Sequence, residues 1–164
     1  KNGAEVTTGS LFIKAEEMSL SGDDWKTISA KGDISVTDSE RGIEINTESL
    51  WFDREDELLV ISSWFEIDDT TEELYAQAGS LRYDMKNEKL EMGMQVTLFK
   101  IADGEVMKCT SESVIYDKSS GMLTLKGRAK VVWKGDNYEA QIITVDTNDN
   151  TISLSGRIKG TING

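Results

Sequence analysis

The chain contains no histidine and no proline in its 164 residues, and it has a single cysteine. No apolar run approaches the roughly 18 residues that a membrane-spanning helix requires, so no transmembrane segment is expected. Without histidine a Ser-His-Asp or Cys-His site cannot be assembled, and metal ligation by Cys and His stops at one thiolate. Cys109, in Met107-Lys108-Cys109-Thr110, has no second cysteine to bond and no imidazole to activate it, and it reads as a buried, inert thiol. No glycine-rich phosphate loop follows any strand-like segment. The lack of proline leaves strand edges open to pairing with other strands.

Bases are also scarce, 18 Lys and Arg against 30 Asp and Glu, for a net charge of -12. That balance argues against nucleic acid, whose phosphates are bound through neutralising cations. The acids are not spread evenly: residues 1–80 carry 19 acids and 6 bases, whereas residues 81–164 carry 11 and 12. An acidic half and a near-neutral half could steer one molecule onto another end to end. The paired acids Glu16-Glu17, Asp23-Asp24, Asp68-Asp69 and Glu72-Glu73 could supply two carboxylates for glycoside hydrolysis. Neighbours on a strand point to opposite faces, however, and these pairs read as solvated turns, so no enzyme is expected. Asp146-Thr147-Asn148-Asp149-Asn150 opens like a calcium loop, but Thr151 stands where the loop needs glycine and Arg157 where it needs glutamate. Neither metal nor cofactor is expected. Lys1-Asn2-Gly3 does not begin a signal peptide, which leaves either a cytosolic chain or one whose targeting segment has been removed.

What the chain does have is a repeat. Leu50-Trp51-Phe52-Asp53, Leu81-Arg82-Tyr83-Asp84, Val114-Ile115-Tyr116-Asp117 and Ile143-Thr144-Val145-Asp146 share one pattern, with aspartates 31, 33 and 29 residues apart. Six residues after each Asp stand Leu59, Leu90, Leu123 and Ile152, and eight after stand Ile61, Met92, Leu125 and Leu154. Ser63, Met94, Gly127 and Gly156 follow at ten, and Phe65, Val96, Ala129 and Ile158 at twelve. The same offsets from Gly22 give Ile28, Ala30, Gly32 and Ile34. Apolar residues at every second position mark a strand with one buried face. The four residues after each Asp make turns that are mostly polar and rich in turn formers, and the Asp is placed to accept backbone N–H groups in an Asx turn.

About five such hairpins predict an antiparallel all-β domain over residues 1–164, with one turn of helix at most, near Thr70 to Ala76. A sheet of ten or more strands curls or splits in two, so the architecture is expected to be an open-ended β-jellyroll-like sandwich or a solenoid of stacked hairpins. Two sets of residues are candidates for function. The inward side chains Phe52, Ile61, Phe65, Tyr83, Met92, Met94, Val96, Leu98, Tyr116, Leu125 and Val131 could line an apolar interior; Phe52, Tyr83 and Tyr116 share one offset and could form an aromatic row. Plain core packing explains the same pattern. Lys126, Arg128 and Lys130, with Arg157 and Lys159 at the offsets of Arg128 and Lys130 in the next unit, form a basic stripe able to meet an anionic head group or the acidic end of a partner. Cross-strand pairing with acids is the alternative.

The third and fourth units resemble a known family. Val114-Ile115-Tyr116-Asp117, Leu123-Thr124-Leu125-Lys126-Gly127-Arg128-Ala129-Lys130-Val131, Gly135-Asp136 and Ile143-Thr144-Val145-Asp146 are similar to the recurring pattern of the LptA/OstA-like proteins of lipopolysaccharide transport. That pattern is an apolar-x-Tyr segment, then L-x-G-x-A-x-V, then a return strand; the earlier units match it more loosely. The resemblance implies a periplasmic β-jellyroll, open at its ends, whose interior holds the acyl chains of lipopolysaccharide or a similar lipid. It also implies assembly head to tail, with itself or related jellyrolls, by edge-strand pairing. LptC-type proteins share the architecture. Here Glu139-Ala140 immediately precedes Gln141-Ile142-Ile143, with Gly135-Asp136 displaced upstream, so no binding residue is carried over. The expected function is a non-enzymatic lipid carrier or bridge, and its rival is a self-associating envelope scaffold without cargo.

Overall fold

Alternation of apolar and polar residues produces strands throughout. The structure, a computed structural model, describes residues 3–163. In chain order the strands are β1 (Ala4–Thr8), β2 (Leu11–Ala15), β3 (Glu17–Ser21), β4 (Thr27–Asp38), β5 (Ile43–Asp53), β6 (Leu58–Ile61), β7 (Phe65–Asp69), β8 (Leu74–Ala78), β9 (Ser80–Asp84), β10 (Lys89–Ala102), β11 (Glu105–Asp117), β12 (Met122–Trp133), β13 (Asp136–Asp146), β14 (Thr151–Ser155) and β15 (Lys159–Thr161). Every pairing among them is antiparallel. The helical turn expected near Thr70 is instead the tight β7–β8 turn, after which Leu74 begins a strand. A short 3-10 turn lies at Asp23–Trp25.

The hydrogen-bonded sheet is continuous, but it is folded over along a line of bulges into two layers. The first layer runs β3, the early half of β4, the late half of β5, β6, β9, the early half of β10, the late half of β11, the early half of β12, the late half of β13, and β14. The second runs β1, β2, the other halves of β4 and β5, β7, β8, the other halves of β10 to β13, and β15. Six long strands therefore cross from one layer to the other, turning the corner at a bulge, a known device for strands that switch sheets.

The corner has a backbone cause. Gly32-Asp33 sits opposite Glu48, Met94-Gln95 opposite Glu112, and Gly127-Arg128 opposite Gln141, each with two residues against one. All six bulged residues have positive φ, from 42° at Asp33 to 81° at Gly127. Gly156-Arg157 repeats the turn between β14 and β15, with φ of 74° and 47°. Glycine is favoured at Gly127 on two counts, the positive φ and the position of Glu112, whose Cβ would lie 2.9 Å from an added Cβ.

The bulge corrects one expectation. Met94 does not point inward with Met92; both bulged residues turn out, leaving Met94 72% exposed. The inward phase resumes at Val96. The Asx turns form as expected. Asp53 accepts the N–H groups of Glu55 and Asp56, both at 2.9 Å, and Asp84, Asp117 and Asp146 do the same for Asn87, Ser119 and Asn148. Asp38 and Asp69 play this part in the second layer.

Candidate functional site

Strand register aligns the inward residues into rows that run the length of each layer. In the first layer one row passes Leu20, Ile28, Phe52, Leu59, Tyr83, Leu90, Tyr116, Leu123, Val145 and Ile152, each opposite the next. The aromatic row is therefore present, with Phe52, Tyr83 and Tyr116 on alternate strands and an aliphatic residue between each pair. The second row of this layer includes Ile61, Leu81, Met92, Val114, Leu125, Ile143 and Leu154. In the second layer a row runs Val6, Ile13, Val36, Ile45, Ile67, Ala76, Leu98, Cys109, Val131 and Tyr138. Phe65 and Val96 stand on the same inner face next to the fold line.

Ten of the eleven interior candidates, all except Met94, are thus brought together between the layers, each at most 3% exposed. They belong to one continuous cluster that also takes in Cys109, whose thiol burial pushes up to about 12. This interior is filled by its own side chains. It loosens at both ends of the rows, where Val6 and Met18 on one side and Ile152 and Leu154 on the other are only partly covered. Ile158, placed inward by its offset, is exposed beside the β15 edge.

Opposite the fold line lies a mouth where turns of the two layers meet. Polar side chains bridge it: Arg54 Nε donates to Thr8 Oγ1 at 3.3 Å, Lys118 Nζ to Asp69 Oδ2 at 2.7 Å, Tyr116 O–H to Glu72 Oε2 at 3.5 Å, and Asn150 Nδ2 to Asp103 Oδ1 at 3.2 Å. A cavity of about 210 Å³ at the mouth is lined by Leu11, Arg41, Phe52, Arg54 and Met85, among others. Tyr83, in the aromatic row, has a buried hydroxyl with no hydrogen-bond partner. Burial is the main reason its pKa is raised. The sequence showed neither this mouth nor its bridges, because alternation reports which residues face inward and not which turns meet across the interior.

The basic stripe is partly assembled. Lys126, Arg128, Arg157 and Lys159 line an open groove of about 720 Å³ at the C-terminal end of the fold line, with Glu112, Gly127, Ala129, Glu139, Ala140, Gln141 and Ile142. Lys130 is exposed but is not among the groove-lining residues; it stands opposite Glu139 on one side, as Lys159 does on the other. Arg128 Nε lies 3.7 Å from Glu112 Oε1 in an exposed pair. At the other end of the fold line a groove of similar size, about 730 Å³, is lined by Gly3, Lys14, Ala15, Glu16, Glu17, Asp33 and Ser35. The groove at one end of the fold line thus carries three acids and one base, and the groove at the other four bases and two acids. Among the described residues no group of three or more metal-ligating side chains occurs, and no helix is long and apolar enough to cross a membrane.

No family model matches the chain, and no curated protein matches it significantly. Among solved structures the fold is similar to LptH, described as the LptA-homologous periplasmic component of the conserved lipopolysaccharide transport device of Pseudomonas aeruginosa. The similarity spans 94% of this chain and 95% of that one, with a TM-score of 0.46 and 16% sequence identity.

Proposed function

We propose that residues 1–164 form one OstA-like jellyroll that acts as a non-enzymatic periplasmic carrier. It shelters the acyl chains of lipopolysaccharide or a similar amphipathic envelope lipid on the way to the outer membrane. The observation that carries this reading is the apolar row running unbroken in the first layer from Leu20 on β3 to Ile152 on β14, faced in the second layer by a row from Val6 on β1 to Tyr138 on β13, with both loosening at their ends. Every exposed methylene of an acyl chain costs about 0.8 kcal/mol in water, so a multi-chain lipid needs cover along its whole path. The motif resemblance of the third and fourth units supplies the cargo class.

Because the centre is filled, loading requires the layers to part. Six strands run through the fold line, whereas the mouth is bridged by side-chain contacts and is the side free to open. Among the described residues the edge strands β1 and β3, and β14 and β15, each pair with one strand only, which suits head-to-tail addition of another jellyroll.

The filled centre favours a second reading, a self-associating scaffold without cargo. Native mass spectrometry before and after incubation with lipopolysaccharide and simpler acylated lipids separates the two. The carrier reading expects a saturable mass shift that Leu154→Asp, at a loosened row end, weakens and that Met94→Asp, on the outer surface, leaves intact. Bare oligomers without any shift would assign the scaffold.

A further inference from the structure

The residues facing the bulges along the fold line change in kind from one end to the other. Glu48 faces Gly32-Asp33, Glu112 faces Met94-Gln95 and flanks Gly127-Arg128, and Gln141 faces Gly127-Arg128 and flanks Gly156-Arg157. The Glu112 carboxylate lies over Gly127 and pairs with Arg128. At the last bulge the equivalent oxygen over Gly156 belongs to the neutral amide of Gln141. Among the described residues no carboxylate lies within ion-pair distance of Arg157, Lys126 or Lys159. Four cations therefore line the groove against two carboxylates, Glu112 and Glu139, and the Gln141 amide stands between the Gly127-Arg128 bulge and the Gly156-Arg157 turn.

We infer that this groove is an anion site and that it takes a phosphate group on the head of an anionic amphiphile. Two guanidinium groups present planar forks that match phosphate oxygens, and the two lysines add charge without geometric demand. Ile142, 38% exposed, supplies an apolar side to the same groove, suited to the ring or first methylenes next to the phosphate. The site lies at the C-terminal end of the fold line, where the groove-lining Ile142 is the chain neighbour of Ile143, the partner of Leu154 at the loosened row end. The inference rests on the carrier reading and names the part of the cargo that the interior does not hold.

The test uses the full chain and three probes: a diphosphorylated acylated glucosamine disaccharide, its dephosphorylated counterpart, and inorganic pyrophosphate. Wild type is expected to prefer the phosphorylated lipid by roughly tenfold, the scale of one or two charge-assisted hydrogen bonds at an exposed site. Arg157→Gln and Gln141→Glu, the second of which installs the missing acid, should each abolish the preference while uptake of the dephosphorylated lipid stays the same. Lys130→Gln should leave it intact. Equal uptake of the two lipids by wild type, or a preference unchanged in both variants, overturns the site. Should neither lipid bind, the carrier reading fails, and pyrophosphate then decides the groove alone: shifts of the Gly127, Gln141 and Gly156 amide resonances that vanish in Gln141→Glu keep it as an anion site, and silent amides remove it. Self-association lost in Gln141→Glu, with lipid preference unchanged, would assign the groove to the acidic edge of a second copy and overturn the phosphate assignment.

Discussion

Lys118 Nζ lies 2.7 Å from Asp69 Oδ2 across the mouth, joining the turn after β11 in one layer to the end of β7 in the other, and both side chains are nearly out of solvent. Asp69 also accepts the N–H of Glu72 at 3.0 Å, so one carboxylate caps its own turn and holds the opposite layer. Lys118→Met would leave that carboxylate covered and without its counter-charge, at a cost of about 3 kcal/mol. Urea unfolding should show this as a lower midpoint at unchanged slope. Asp69→Leu combined with Lys118→Met should recover part of the loss, but not the share owed to the Glu72 cap. A Lys118→Met midpoint equal to wild type would mean that the pair does not hold the layers together.

Opening at the mouth can be tested without disturbing the buried pair. Asp103 and Asn150 touch across it at 3.2 Å, both at positive φ (52° and 59°), so cysteines there carry backbone strain, for which the unlinked double variant is the control, and can be joined by a short reductant-cleavable bis-thiol linker. Cys109 should not compete, since burial keeps it a thiol. Lipid uptake is expected to stop in the linked protein and return after cleavage. Uptake by the linked protein would show that cargo enters through the row ends.

Tyr83 and Tyr116 occupy equivalent places in the aromatic row with different hydroxyl environments. The Tyr83 hydroxyl is buried without a partner, whereas that of Tyr116 reaches Glu72 Oε2 at 3.5 Å. Removing an unsatisfied buried hydroxyl relieves a desolvation cost, so Tyr83→Phe should be neutral or stabilising by about 1 kcal/mol. Tyr116→Phe should be neutral or mildly destabilising, because its bond is long. Destabilisation by Tyr83→Phe alone would point to a bound water or ligand as the hydroxyl's partner.

The bulge glycines offer a separate test of the fold line. Gly127→Ala combines a strained positive φ with a collision against the Glu112 carboxylate. It should cost about 1–3 kcal/mol in urea unfolding, the range of strained backbone positions. Adding Glu112→Ala removes the carboxylate contact but leaves the residue-112 Cβ 2.9 Å away together with the φ strain, so the double variant should regain only part. Full recovery would place the whole requirement for glycine in the contact.

Much of this fold was legible because a strand repeats every two residues: the offsets from Asp53, Asp84, Asp117 and Asp146 found the inward rows and their Asx turns. The same rule failed at Met94. An extra residue in a bulge turns two neighbours outward together, and no glycine marks the Met94-Gln95 bulge as Gly127 and Gly156 mark theirs. The basic stripe was legible as a set of offsets, but which of its members share a groove depends on the corner, which gathers Lys126, Arg128, Arg157 and Lys159 and leaves Lys130 outside. The bridge from Lys118 to Asp69 was not legible at all. It joins residues 49 positions apart, in turns of different layers, and both looked like ordinary solvated turn residues.

Acid sensitivity should follow from the turn aspartates. Burial of Asp38 works against its ionisation, but hydrogen bonds from Arg41 and Ser10 outweigh it and hold the carboxyl below its ordinary 3.8. Asp84 and Asp117 are lowered too, first by hydrogen bonds from Asn87 and Ser119 respectively. A carboxyl whose folded pKa is depressed stabilises the fold fully above its unfolded value, and this stabilisation is lost as pH falls through the lower folded value. With no histidine in the chain, no side chain with an ordinary pKa titrates between about pH 5 and 8. The urea midpoint should therefore be level across that range and fall below about pH 4. Asp38→Asn, which keeps an acceptor for the turn but cannot ionise, should lower the plateau and flatten the acid limb. A midpoint that moved between pH 6 and 8, or an Asp38→Asn protein with the full acid slope of wild type, would show that the stability these turns contribute does not depend on their charge.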